Sequence, residues 1–505
     1  MSEPPAALSA ALPAAERAAP PPLAWRQLSV VVLVLLAVLL PLATRYGFHR
    51  DELYFLAGGR HLAWGFPDQG PLTPALARLA DLAAPGSLLA LRIPAALLTS
   101  VTVLTAALTA RELGGRVFGQ VLAAVTVAIG TLTLIGGHLL VTSTVDLTVW
   151  ASTGWLTTRL LRTRDPRLWL ALGLVCGIGL NNKQLPVVLA GATVLAIGLD
   201  RTARRLLLSR WLVAGAVVAV ALWAPGLTWQ AQHGWPQLEL AGQIRAEYGV
   251  LGERIGFLAT QLVIFSVGAT VLLVAGVRAM VRDPRWRPFR PLAVTALVVL
   301  VFFIVVAGQV YYPAGSYLPL FAAGAVVVEE RRTRWRTVVT VAWTSALLIP
   351  AALPVLPLST LAASPWTGLG EQQRETAGWP EFVDQVAAVY RTIPAGERTT
   401  TVVFTSNYGE AGAVDELGAS RGLPRAYSGH NGYGDWGPPP PSATGPVVVV
   451  AEGGPPNDDF DGCDTGHKVT GPVPNEERDY ASIYLCQGPR GGWTARWPYL
   501  VHLDS

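Results

Sequence analysis

The sequence predicts an all-α polytopic membrane domain followed by a small external α/β domain. Three observations carry this expectation. Of its 505 residues 51% are hydrophobic and 14% charged, where a soluble chain carries about a quarter charged residues; mean hydropathy is +0.40. Apolar runs of near-membrane length recur from Leu28 to residue 356. From about residue 365 the chain turns polar, alternating and turn-rich.

The first 27 residues are Ala/Pro-rich and weakly charged, and read as a disordered cytoplasmic tail. The apolar run after Trp25-Arg26 lacks a small-residue cleavage site, and its flank Thr44-Arg45-Tyr46 is wrong for a signal peptide. It reads as an uncleaved first span. About eleven spans are expected, against the ~20 residues that a helix needs to cross the hydrocarbon core. They run over 28–44, 87–109, 117–136, 147–161, 168–181, 185–199, 211–228, 256–277, 291–307, 316–328 and 337–356. A long external loop, 45–86, separates the first two.

In this register the arginine-rich loops 111–116, 162–167, 201–210, 278–290 and 329–336 all fall on one side. That is the positive-inside pattern of a multi-pass cell-membrane protein with a cytoplasmic amino terminus and an extracytoplasmic carboxyl terminus. The same loops account for the isoelectric point near 9.0 without nucleic acid as a partner. The expected organisation is a tail (1–27), a transmembrane domain (28–358) and an external domain (359–505). In the last, Glu381–Ile393 reads as an amphipathic helix, Thr399–Phe404 and Val447–Ala451 as buried strands, and Val414–Leu417 as part of a second helix. Cys463 and Cys486 both lie there, whereas Cys176 lies in the fifth span; a cysteine pair in an oxidising compartment favours a disulfide.

Chemistry concentrates just beyond the first span, in His49-Arg50-Asp51-Glu52-Leu53-Tyr54-Phe55. Adjacent acids on a helix point about 100° apart, so one can face a cavity while the other holds the helix. A proline-punctuated turn, Gly65-Phe66-Pro67-Asp68-Gln69-Gly70-Pro71, then returns the chain to the membrane.

The run HRDELYFLAGGRHLAWGFPDQGPLTPALARL (49–79) resembles the first extracytoplasmic loop of bacterial polytopic glycosyltransferases of the protein O-mannosyltransferase and aminoarabinose-transferase superfamily, which have the GT-C fold and are family 39-like. YYPAGSYLP (311–319) is similar to another loop of that family. TSNYGEAGAVDELG (405–418), YSGHNGYGDWGPP (427–439) and CQGPRGGW (486–493) resemble the soluble tail of a bacterial subset.

The resemblance implies sugar transfer, with inversion, from a polyprenyl-phosphate carrier to an acceptor hydroxyl. A carboxylate takes the hydroxyl proton; Asp51 is the matching position, with Glu52 beside it. Asp68 keeps an acid of the loop, and Gln69 stands where some members carry a lysine facing the carrier phosphate. Asp146 matches an acid of the same cavity. Lys183, one of only two lysines, matches a lysine that follows a glycine-rich helix. Tyr311 and Tyr312 are candidate donors to the carrier phosphate, and Arg245 and Arg254 are lesser candidates.

Each residue has a plainer reading. Asp51-Glu52 would cap a juxtamembrane helix and pair with Arg50 or Arg60. Asp68 would serve a turn, Asp146 would cap a helix, Lys183 would snorkel, and tyrosines populate membrane interfaces.

The histidine spacing makes no metal site; a divalent cation is allowed and not indicated. No Walker or Rossmann glycine pattern favours a nucleotide sugar. Expected partners are membrane lipid, the lipid-linked donor, and an acceptor that the sequence leaves open among protein, lipid and glycan. Two other classes remain in view: a transporter or flippase of lipid-linked glycan, and a non-catalytic cell-envelope scaffold.

Overall fold

The computed structural model describes residues 19–248, 251–332 and 334–504. Of the tail expected over 1–27, residues 1–18 lie outside that description. From residue 19 onward the chain is packed rather than loose. Arg111 Nε donates to the Pro21 carbonyl, Gln120 Nε2 to that of Pro22, and the Ala24 amide to Gln120 Oε1.

Helices α1 (Trp25–Leu42), α2 (Arg50–Arg60), α3 (Leu72–Ala83), α4 (Leu88–Glu112), α5 (Val117–Ala128), α6 (Thr131–His138), α7 (Thr142–Thr163), α8 (Leu168–Leu180) and α9 (Leu185–Leu199) form the first half of the bundle. Then come α10 (Arg210–Gln232), α11 (Pro236–Tyr248), α12 (Leu251–Gln261), α13 (Val267–Arg282), α14 (Arg290–Val306), α15 (Leu318–Glu329) and α16 (Arg334–Ala346). By length and composition α1, α4, α10 and the run Pro284–Val306 can each cross a membrane; α5 and α6 are an apolar pair bent by 63°, the form of a broken span or of a re-entrant loop. Exposed Val30, Leu33, Val213, Val217, Leu297 and Val305 give these helices an apolar outer surface, the surface of a membrane protein.

Where helices depart from the expected spans, local causes are visible. The expected span 256–277 is two helices, α12 and α13. Ser266 Oγ accepts from the Ala269 amide and restarts the helix, while the Phe265 carbonyl is taken by the Thr131 amide. The span expected over 337–356 breaks after α16, with a short turn Ile349–Ala352 opened by a proline. Helix α7 is long but rich in threonine. It is buried along most of its length, so protein rather than lipid covers it.

The arginine-rich loops meet at one end. Arg162 pairs with Glu112, Arg164 donates to the Thr202 carbonyl, Arg285 pairs with Glu330 at 3.5 Å, and the Arg116 amide donates to Glu329 at 2.8 Å.

The stretch 45–86 is not a plain loop, because it contains α2 and α3. Helix α2 starts on a capping box: His49 accepts from a first-turn amide, and Glu52 accepts from the His49 amide. Glu52 is fully buried and bidentate with Arg92 of α4, at 2.9 and 2.7 Å. It also accepts from the Leu140 amide at 3.0 Å. Arg92 spends its remaining donors on the Ala43 and Gly47 carbonyls and lies 3.2 Å from His138. Both Glu52 oxygens and all three guanidinium nitrogens of Arg92 have protein partners, the condition under which a buried ion pair is tolerated.

The carboxyl-terminal region holds a five-stranded sheet of order β2-β1-β3-β6-β5. Its strands are β1 (Val402–Thr405), β2 (Ala426–Ser428), β3 (Val447–Glu452), β5 (His467–Lys468) and β6 (Ala481–Cys486); β4 (Phe460–Asp461) and β7 (Gly488–Pro489) form a separate ribbon. Strand β1 pairs in parallel with β2 and β3, and β6 runs antiparallel to β3 and β5. Thr399 and Thr400, expected to open the first strand, lie in a 3-10 turn, Arg398–Thr400, instead. Helix α17 (Trp379–Thr392) covers the amphipathic segment, and α18 (Tyr408–Leu417) begins earlier than the expected second helix because Asn407 and Glu410 form a capping box. A disulfide joins Cys463 and Cys486.

This region does not stand apart from the membrane loop. Leu53, Tyr54 and Phe55 of α2 share one apolar core with Val383 and Val386 of α17 and with Val403, Val448 and Val450 of the sheet. Helix α18 lies directly on α2, and a Cβ on Gly412 would stand 2.8–3.1 Å from Leu53 atoms, including its backbone.

Arg92→Met leaves the Glu52 carboxylate buried and unpaired, which costs about 3–5 kcal/mol. The expected outcome is a large drop in the thermal unfolding midpoint in detergent, followed by size-exclusion chromatography. Arg92→Met combined with Glu52→Leu recovers part of that loss.

Candidate active site

Two turns and two loops converge on a cavity of ≈390 Å³. The first turn of α2 supplies Asp51. The return loop supplies Asp68 and Gln69, the α8–α9 turn supplies Lys183, and the loop before α15 supplies Tyr311 and Tyr312. Tyr408 and Asn431 enter from the carboxyl-terminal region. An apolar flank comes from Leu185 and Val188 of α9 and Phe302, Phe303 and Val306 of α14, with Leu240 and Ile244 of α11 beside them.

The return loop is held against the α8–α9 turn by the backbone. Gly70 N donates to Asn182 O and Leu72 N to Asn181 O, at 2.8 and 2.9 Å. Only glycine fits at 70, where a Cβ would stand 2.2 Å from the Asn181 carbonyl oxygen. Asn182 is the buried hub. Its amide nitrogen donates to Asp146 Oδ1 and the Thr142 carbonyl, and its oxygen accepts from Thr73 Oγ1 at 2.6 Å. This junction brings Asp68, Gln69 and Lys183 to one wall.

Asp51 Oδ1 accepts from the Tyr408 hydroxyl at 2.9 Å, and the ring of Tyr408 stacks on Tyr54 at 4.6 Å between centroids. The Tyr54 hydroxyl in turn donates to Asp68 Oδ1 at 2.8 Å and accepts from the Gly432 amide. Asp51 and Asp68 are thus each fixed by a tyrosine. Arg50 turns away from Asp51 and pairs with Glu476, while Arg60 pairs with Glu416 at 2.6 Å. Burial raises Asp68 to about 6, partly countered by the Tyr54 hydrogen bond and the Lys183 charge.

The Lys183 ammonium lies 5.6 Å from the Tyr312 ring centroid, a cation–π geometry. Burial works against its charge, but Tyr311, Tyr312, Asp146 and Asp68 around it more than offset this and hold it above its ordinary value. The cavity therefore has a carboxylate on one wall and a protonated amine on another.

Two expected site residues sit elsewhere. Glu52, paired with Asp51 as a catalytic candidate, does not reach the cavity: it is consumed by Arg92 and two backbone amides. Asp146 lies behind the tyrosines, beside a small void of ≈20 Å³ bounded by Tyr311 and Tyr312, where Asn182 holds one of its oxygens. Gln69 lines the cavity with Oε1 buried and without a donor. Arg245 is exposed and off the cavity, while Arg254 lines a neighbouring pocket that shares Phe303 and Tyr311 with it.

Residues that the sequence reading passed over are Tyr54, Asn182, Tyr408 and Asn431. Asn431 has φ 48, an uncommon conformation for a residue other than glycine, and its side chain is locked to the Asp504 backbone. The one available signal was the Asn407-x-x-Glu410 capping pattern, which places Tyr408 in the first turn of a helix.

The architecture matches solved structures closely in extent. ArnT from Cupriavidus metallidurans bound to undecaprenyl phosphate superposes with a TM-score of 0.58 at 13% identity, covering 90% of this chain and 97% of that one. The same protein in its apo state gives 0.59 at 12% identity, covering 91% and 97%. This is the GT-C fold. Residues 68–229 also match the family model described as dolichyl-phosphate-mannose-protein mannosyltransferase, a stretch that begins at Asp68 and contains Asp146 and Lys183. No curated protein matches the sequence.

The Tyr54 hydrogen bond lowers the Asp68 value, so Tyr54→Phe raises it by about one unit, the size of a charge-assisted bond. A carboxyl infrared band that is absent from Asp68→Asn reads this directly: it appears on acidification through about pH 6 in the wild type and at higher pH in Tyr54→Phe.

Proposed function

We propose that this protein is an integral membrane glycosyltransferase that moves a sugar from a polyprenyl-phosphate carrier to an acceptor hydroxyl at the external membrane face. The observation that carries the proposal is the composition of one cavity. A hydrogen-bonded carboxylate, Asp51, and an ammonium, Lys183, face the same space, and one flank of it is apolar side chains from α9 and α14. A phosphate headgroup on a long isoprenoid needs that combination: a cation for the phosphate and a greasy flank for the tail. The GT-C fold and the undecaprenyl phosphate bound to the similar ArnT structure support it.

In this reading Asp51 is the general base. It accepts the acceptor's hydroxyl proton while that oxygen bonds to the anomeric carbon and the bond from carbon to phosphate oxygen breaks. A single displacement inverts the anomeric centre. The Tyr408 hydroxyl holds Asp51 in one rotamer, and Lys183 meets the charge that develops on the departing phosphate, the stage at which a fixed cation contributes most. Tyr311 and Tyr312 shape the phosphate end. Asp68, tied to Tyr54, orients the sugar or acceptor hydroxyls. The arginine-rich end would face the cytoplasm of the cell membrane, and the cavity and carboxyl-terminal region (359–505) the outside.

The test is turnover of a panel of polyprenyl-phosphate sugars in membranes. Asp51→Asn is expected to lower kcat by about 10²–10⁴-fold, the usual contribution of a positioned base, with donor binding retained. Lys183→Met is expected to weaken donor binding by about tenfold, a loss of roughly 1.4 kcal/mol. Unchanged turnover in Asp51→Asn would remove the base assignment. Carrier movement across vesicles without transfer would favour the flippase reading.

A further inference from the structure

A second group of carboxylates lies behind Arg50, outside the cavity. Glu375, at the end of the short helix Glu371–Arg374, and Glu476 and Glu477, opening the helix Glu476–Tyr480, each bring one oxygen within 4.8 Å of the others. Among the described residues no other three acid, histidine or cysteine side chains converge in this way. The trio is not a solvated acidic face. Glu477 is 2% exposed and neither of its oxygens meets a donor; Glu375 is 7% exposed and its Oε2 meets none.

An independent group points the same way. Glu410, from α18, is fully buried. Its Oε2 takes the Ser406 hydroxyl and the Asn407 amide, and its Oε1 has no donor. Glu452 completes a set of five mutually repelling carboxylates. Two guanidiniums face them. Arg50 pairs with Glu476, and Arg374 donates through Nη1 to the Pro474 carbonyl. The Nε of each is itself buried without an acceptor, so the basic groups present leave Glu375 Oε2 and both Glu477 oxygens without a donor. Buried carboxylates require a counter-ion or a proton.

We propose that Glu375, Glu476 and Glu477 bind one divalent cation of the oxygen-preferring class, calcium or magnesium. The donor set is all carboxylate, which suits a hard cation and not zinc. The three ligands come from the segment that follows the last span and from the turn before β6, so the ion cross-links the two ends of the carboxyl-terminal region. Arg50 extends the link: it pairs with Glu476 and lies 5.0 Å from the Tyr408 ring centroid. The cation is thereby a positioning element for the first turn of α2.

The test uses the full-length protein in detergent, stripped with a chelator and titrated with calcium at pH 7.5, with manganese as a paramagnetic probe of the same site. Expected results are saturable uptake of one equivalent and a rise in unfolding midpoint on the order of 5 °C at saturation. Glu477→Gln and Glu375→Gln are each expected to weaken binding by at least about tenfold, since ligand charge sets affinity at such sites; Asp51→Asn is expected to bind like wild type. No stoichiometric uptake by the wild type at pH 7.5 or 8.5 would overturn the proposal, and that measurement stands even if the glutamate variants do not fold. Binding lost in Asp51→Asn but kept in Glu477→Gln would also overturn it, by placing the ion in the cavity. None of these readouts depends on sugar transfer.

Discussion

The buried pair between Glu52 and Arg92 is the constraint on which the rest depends. It removes two charges from water, and it is tolerated because backbone carbonyls and amides complete both ions. Its geometry fixes the roll of α2 on the membrane bundle. With Glu52 turned inward, its neighbour Asp51 turns about 100° away, toward the space bounded by α9, α14 and the tyrosines. A two-residue acidic sequence thus divides its labour: one carboxylate holds the helix and the other is left to a single tyrosine.

The remaining walls follow from a similar economy of anchors. Asn182 joins α7, α3 and the α8–α9 turn through one carboxamide, which leaves Lys183, the next residue, projecting past the junction. Glycine at 70 lets the return loop touch that turn. Glycine at 412 lets α18 lie on α2, which delivers the Tyr408 hydroxyl to Asp51. The carboxyl-terminal region is therefore a wall of the cavity and not an appendage to it.

Much of the fold was legible because hydrophobic length is a local signal. Each of the eleven expected spans contains at least one helix, and the five arginine-rich loops meet one another. The break within the span 256–277 was hidden, since the Phe265 carbonyl is taken by the Thr131 amide, far off in the chain. Strand β3 could be read from its valines, while β6, whose alternation is short, could not. The site was legible as a set of segments. Which of Asp51 and Glu52 faces the cavity was not, because the deciding residue, Arg92, lies 40 positions from Glu52. Tyr408 was hidden for the same reason at greater range. A tyrosine in a helix start carries no local mark of the acid it will meet.

Tyr408 and Asp51 are separated by 357 positions. During synthesis the first loop emerges and can dock on α4 early, since Arg92 follows soon after. Asp51 then waits, without its hydroxyl neighbour, while the remaining helices are threaded into the bilayer and the sheet assembles. The carboxylate acquires its final environment only when the chain is nearly complete, so a half-inserted protein carries the acid but not the built site around it.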